Sequence, residues 1–185
     1  MKHIMIDLET LGTVASAVIL SVGAVKFDLE SDKIDDCGFY ASASVESNLD
    51  LGRRIQEDTL LWWLKQDAAA QKVFHEAKTT LTAALSDLSD WIGSDDYTIW
   101  SNGADFDLPM LAHAYSQVGI ETPWKFWNSR CFRTYKNLPG ARDIRVQTGV
   151  KHNALSDAYS QAVTVQAIHA ALFGPKTIIA KKAKA

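Results

Sequence analysis

His3-Ile4-Met5-Ile6-Asp7-Leu8-Glu9-Thr10 opens the chain, and Ala17-Val18-Ile19-Leu20-Ser21-Val22-Gly23-Ala24-Val25-Lys26-Phe27 follows after a short link. Both runs are rich in apolar, largely β-branched residues and read as buried strands. Asp7 and Glu9 lie two residues apart at the end of the first run, so on an extended backbone their side chains share a face. Two carboxylates side by side repel, and each raises the other's pKa unless a cation neutralises them. Hard oxygen donors of this kind suit Mg²⁺ or Mn²⁺ rather than zinc. A lone Asp-x-Glu describes a solvated acidic strand end equally well.

Outward from this pair, residues 28–35 form a polar turn and residues 36–43 return as a third strand, giving a meander. Helices follow over 59–66, capped by Asp58, over 67–77, capped by Asp67, and from Thr79 or Thr80 to Trp91. In the last of these Leu81, Leu85 and Leu88 share a face with Trp91 or Ile92. A strand is expected over 97–101, broken by Asn102-Gly103, and a helix over 106–118. A short fifth strand falls at 124–127, a helix at 128–137, a basic loop at 138–148 and a closing helix from Asn153 to Phe173. This order gives an α/β fold, a mixed five-stranded sheet with helices on both faces.

At 185 residues, 47% hydrophobic and 22% charged, the chain suits one domain with one apolar core, and disordered or fibrous classes are excluded. Residues 1–174 read as that domain and 175–185 as a basic tail. Cys37 and Cys131 stand too far apart for a zinc cluster or a disulfide framework. Asp7 and Glu9 interrupt the first apolar run, so no secretory signal is read, and the apolar stretch 17–25 is too short to span a bilayer. The expected setting is cytoplasmic, with no membrane.

The formal net charge is −3. Between Glu121 and Lys151, however, seven basic residues face only Glu121 and Asp143, a local +5. An acidic body with a basic segment is compatible with phosphate binding at one face, and equally with a solvated loop.

Two further motifs change the weighing. Asn102-Gly103-Ala104-Asp105-Phe106-Asp107 joins a strand to a helix, where one acid serves as a helix cap, a role that suits Asp105, and Asp107 points toward the sheet end. His152-Asn153-Ala154-Leu155-Ser156-Asp157 places a histidine just before a helix capped by Asn153, with an acid one turn inside. Four carboxylates and one imidazole thus arrive on strand ends and helix starts that converge in a mixed sheet. That set suits two-metal displacement at phosphorus, with the imidazole as base. Without these four acids the rest of the protein carries +1.

The order Asp7-x-Glu9, Asn-Gly-x-x-Phe-Asp107, His152-x4-Asp157 resembles the DEDDh 3′→5′ exonucleases, a superfamily with an RNase H-like fold. The likeness runs from Ile4 to about Leu172. Met5 to Gly12, the run Ala17 to Val25, and Thr59-Leu-Leu-Trp62-Trp63-Leu-Lys65-Gln66 are similar to the exodeoxyribonuclease VIII-like and phage DexA-like branch. The resemblance implies that Asp7, Glu9 and Asp157 hold one of two Mg²⁺ or Mn²⁺ ions, that Asp7 and Asp107 serve the second, and that His152 is the general base. It implies that Thr10 and Leu11 contact the terminal nucleotide, Leu11 by packing on its base. Trp62 offers a stacking surface, Gln66 a hydrogen bond and Arg133 a phosphate contact; for each of these three a structural role is the plain alternative. The implied activity is 3′→5′ removal of nucleoside 5′-monophosphates from single-stranded DNA, with RNA as the alternative. A non-catalytic nucleic-acid-binding module and a small-molecule phosphohydrolase are the rival classes.

Overall fold

The computed structural model describes residues 1–76 and 78–174. The basic tail lies outside the described residues. Strands β1 (His3–Thr10), β2 (Ile19–Phe27), β3 (Phe39–Ser42), β4 (Thr98–Ser101) and β5 (Ser129–Cys131) form one sheet in the order β3-β2-β1-β4-β5. β1 to β3 are antiparallel neighbours, whereas β1, β4 and β5 are parallel. The parallel half exists because long helical crossovers separate its strands. Its carboxyl ends all lie at one edge, where β1 finishes in Asp7-Leu8-Glu9 and β4 in Ser101.

Six α-helices accompany the sheet among the described residues: α1 (Val45–Asp50), α2 (Glu57–Trp63), α3 (Leu81–Ile92), α4 (Asp107–Val118), α5 (Phe132–Tyr135) and α6 (Ala154–Phe173). Alternation along β1 divides the core. Ile4, Ile6 and Leu8 pack with α3 and α4 through Leu85, Leu88, Leu111 and Tyr115. Met5 faces the other way, joining α6 through Ala158, Ala162, Val165 and Ile168. Asp7 and Glu9 continue that second face, so α6 is the helix that lies over them.

Several boundaries differ from expectation. The fifth strand is Ser129–Cys131, not 124–127, and the helix expected over 128–137 contracts to Phe132–Tyr135. Trp124 instead packs against Tyr115, with ring centroids 5.7 Å apart. The segment after Asp67 is a 3₁₀ turn over Ala70–Phe74, and helix α1 was not expected. Helix α1 is short and largely polar; its buried Asn48 bonds both the amide and the carbonyl of Ile19, a tertiary role with no local pattern. No helix among the described residues is long and apolar enough to cross a membrane.

Candidate active site

Register and helix capping bring the three motifs together. Asp7 pairs with Gly23 across the β1–β2 ladder, and α6 begins directly over that glycine. A Cβ on Gly23 would lie 2.2 Å from Ala154 C and Leu155 N. The absent side chain lets the helix start descend onto the sheet. Asn153 caps α6 by accepting from Ser156 N, as expected. Asp157 then sits in the first turn and accepts the backbone N–H of His152 at 2.8 Å. One turn further, Gln161 Nε2 donates to Asp7 Oδ1 at 2.7 Å.

Asp107 reaches the same place from the opposite layer. It is the first residue of α4 and is buried, and Leu8 N donates to its Oδ1 at 3.2 Å across 99 residues of chain. Asp105 is exposed, and the residue that precedes α4 is Phe106, so Asp105 does not take the capping role expected of it. One donor atom each from Glu9, His152 and Asp157 lies within 4.8 Å of the others. His152 is the single non-glycine residue with positive φ (59°) among the described residues.

The electrostatics follow from burial and crowding. Desolvation, then the charges of Asp107, Glu9 and Asp157, push the Asp7 carboxyl well above the usual range. Burial, with Asp157 and Asp107 nearby, lifts Glu9 to about 8. Burial raises Asp107 to about 7, against backbone N–H donors and Arg133, which pull it down. Such a cluster holds protons when empty, because its charges repel, and a divalent cation that neutralises those charges would displace them.

Asp7, Glu9, Asp157 and His152 line a cavity of about 380 Å³ whose rim carries Lys136, Arg145 and Lys151. Helix α6 itself arranges part of this rim. Ser160 Oγ accepts from Thr148 N and donates to Thr148 O, and Thr164 Oγ1 accepts from Val146 N. These hydroxyls tack the basic loop along the helix beside Asp157 and Gln161. Lys136 Nζ donates to Asn102 Oδ1, and burial followed by Arg145 and Arg133 lowers its pKa.

Glu9 also borders a second cavity of about 410 Å³, walled by Thr10, Thr59, Trp62 and Phe106. Thr10 and Trp62 therefore both line open space beside Glu9. Leu11 does not. It is 2% exposed and packs with Val18, Leu20 and Trp63, because the chain turns it into the core. Gln66 lines neither cavity and donates to Trp62 O, closing the end of α2. Arg133 stands beside the acid cavity rather than in its wall: its Nη2 donates to Asn102 O. Lys136 and Gln161 were missed as site residues. A stripe of Asp157, Ser160, Gln161 and Thr164 along one side of α6 was the available signal for Gln161; Lys136 carries none beyond its charge.

The 3′-5′ exoribonuclease Rv2179c-like domain family matches residues 2–169. The exodeoxyribonuclease of Enterobacteria phage T4 is 24% identical over 159 residues, covering 72% of this chain and 70% of the relative. Among solved structures, E. coli exonuclease I in complex with a dT13 oligonucleotide aligns with TM-score 0.64 at 13% identity over 92% of this chain. Product-bound exonuclease I aligns with TM-score 0.62 at 12% identity over 91%. The chain spans 41% and 43% of those two proteins, and the likeness to them is one of fold, the RNase H-like fold. With a match running from the first strand into the last turns of α6, the chain belongs to the 3′-5′ exoribonuclease Rv2179c-like domain family.

Proposed function

We propose that the protein removes nucleoside 5′-monophosphates from the 3′ end of single-stranded RNA by the DEDDh type of two-metal hydrolysis. The observation that carries this reading is the convergence of Asp7, Glu9, Asp157 and His152 on one cavity with a cationic rim, with Asp107 buried behind it and bonded to Leu8 between the first two acids. The donor set fits divalent cations. It is made of carboxylate oxygens, three of them on buried groups with raised pKa values, and the local donors to them are Gln161 and backbone amides. Asp7, Glu9 and Asp157 would hold one ion, and Asp7 with Asp107 the other. When bound, the ions supply Lewis-acid activation of a water and neutralise the departing 3′ oxygen.

The remaining work belongs to the chain's own groups. His152 takes the proton of the attacking water, its ring nitrogen lying within 4.8 Å of Glu9 and Asp157. As the new P–O bond forms, the bond from phosphorus to the 3′ oxygen of the penultimate nucleotide breaks. That oxygen leaves with a proton from solvent. Lys136, Arg145 and Lys151 hold phosphates of the strand, and the cavity beside Thr10, Trp62 and Phe106 receives the terminal nucleoside.

The description of the matched family supports RNA over the DNA expected from sequence. The phage exodeoxyribonuclease relative supports DNA as the second reading, and with it the phage DexA-like branch. The test is a time course on 5′-labelled RNA and DNA of one sequence with Mg²⁺, Mn²⁺ or chelator, beside a mononucleotide ester. A metal-dependent ladder shortening from the 3′ end, lost in Asp7→Asn, is expected, faster on RNA. Binding without turnover would point to a non-catalytic module, and turnover of the ester alone to a small-molecule hydrolase.

A further inference from the structure

A catalytic histidine is ordinarily oriented by a carboxylate or carbonyl that accepts from its second ring nitrogen. His152 has no such partner: among the described residues, no hydrogen bond reaches either ring nitrogen, and its one bond is from the backbone N–H to Asp157. What touches the imidazole instead is Trp62, with ring centroids 4.9 Å apart and planes at 89°. Trp63 stands further off at 6.3 Å. Trp63 is fixed, being buried, with its Nε1 donating to Thr10 O at 2.8 Å. It meets Trp62 edge-on at 5.2 Å and so braces it from the side.

Trp62 is itself 40% exposed, which core packing does not account for. It also walls the second cavity, beside Glu9, Thr10 and Phe106. One indole therefore borders the space for a terminal nucleoside and contacts the group that would accept the water's proton. The backbone at His152 is in the left-handed region, so the loop sets where the side chain starts while the indole sets where the ring ends.

We propose that Trp62 is a positioning residue for His152. It replaces the missing hydrogen-bond acceptor, holding the imidazole toward Glu9 and Asp157. Because it also walls the nucleoside cavity, filling that cavity locks the indole and thereby the base. This inference rests on the exonuclease reading above.

The test compares Trp62→Phe and Trp62→Leu with the unaltered protein at saturating and limiting single-stranded oligonucleotide. Trp62→Leu is expected to lower kcat by about tenfold or more, since a displacement of about 1 Å in a reacting group costs on the order of a hundredfold. Trp62→Phe, which keeps an aromatic edge, is expected to restore most of it. In a His152→Ala background Trp62→Leu should then cost less than about threefold in kcat, because the residues act as a unit. A stacking role alone would raise KM, spare kcat and persist in that background, which would overturn the proposal. The ¹H–¹³C resonances of the His152 ring give a readout independent of turnover. They should carry a ring-current shift lost in Trp62→Leu, and an unchanged spectrum would overturn the proposal even if the enzyme proved inactive on every substrate.

Discussion

Replacing Gly23 with alanine puts a methyl group where α6 begins. Its Cβ would stand 2.2 Å from the backbone of Ala154 and Leu155 and 2.4 Å from Ala154 O. Unstrained carbon contacts need about 3.5 Å, so the helix start must rise by about 1.3 Å. Backbone on both sides leaves no flexible side chain to yield. Asp157 and Gln161 ride on the first two turns of α6, so both withdraw from Asp7, and the 2.7 Å bond between Gln161 and Asp7 is broken. Overpacking of this kind costs about 1–3 kcal/mol, equivalent to about 2–12 °C in Tm for a chain of this size. The larger effect is on rate, because about 1 Å of misplacement costs on the order of a hundredfold. The assay pairs initial rates on a labelled oligonucleotide with thermal melting followed by circular dichroism. Gly119→Ala is the control: that glycine caps α4 at φ +71° with no atom near its Cβ. It should lose stability through backbone strain and keep its rate. A Gly23→Ala protein within about threefold of the normal rate would refute the reasoning that this glycine sets the depth of α6.

Metal-free protein should lose stability as pH rises from about 4 to about 8. Asp7, Glu9 and Asp107 hold protons in the native state that the unfolded chain releases near pH 4, with Glu9 at about 8 and Asp107 at about 7. Melting in chelator at pH 5 and pH 8.5 checks the sign, and added Mn²⁺ should reverse the loss at the higher pH. Gln161→Leu removes the side-chain donor to Asp7 and should weaken metal affinity or turnover about 10- to 100-fold. Calorimetric titration with Mn²⁺ measures it, and undiminished affinity and rate would count against a role for Gln161. Lys136→Ala and Arg145→Ala should raise KM while leaving kcat nearly unchanged, and each should flatten the salt dependence of oligonucleotide binding by about one counterion. Fluorescence anisotropy across a salt series reads that slope.

The acids were legible in the sequence because each marks a local event that sequence encodes. Asp7 and Glu9 end a strand with period two, Asp107 opens a helix after a Gly-containing break, and Asp157 lies one turn past an Asn cap. The mixed sheet was legible for the same reason, since a tight meander forces antiparallel pairing and helical crossovers permit parallel pairing. The short β5 and the polar α1 were not, because their formation depends on β4 and on the buried bonds of Asn48 rather than on periodicity. Burial by distant segments then decided which neighbours of the motifs face a ligand. Leu11 turned into the core while Thr10 and Trp62 stayed at the cavity, although all three lie in or beside motif segments. Gln161 acquired its bond from the 2.7 Å approach to Asp7 across 154 residues, and Trp62 its contact with His152 from the end of α2 meeting the loop before α6. Sequence alone determined which residues could supply the chemistry, since that follows from functional groups and local periodicity. Only the tertiary structure decided which groups orient them, because orientation depends on contacts between segments that no local pattern records.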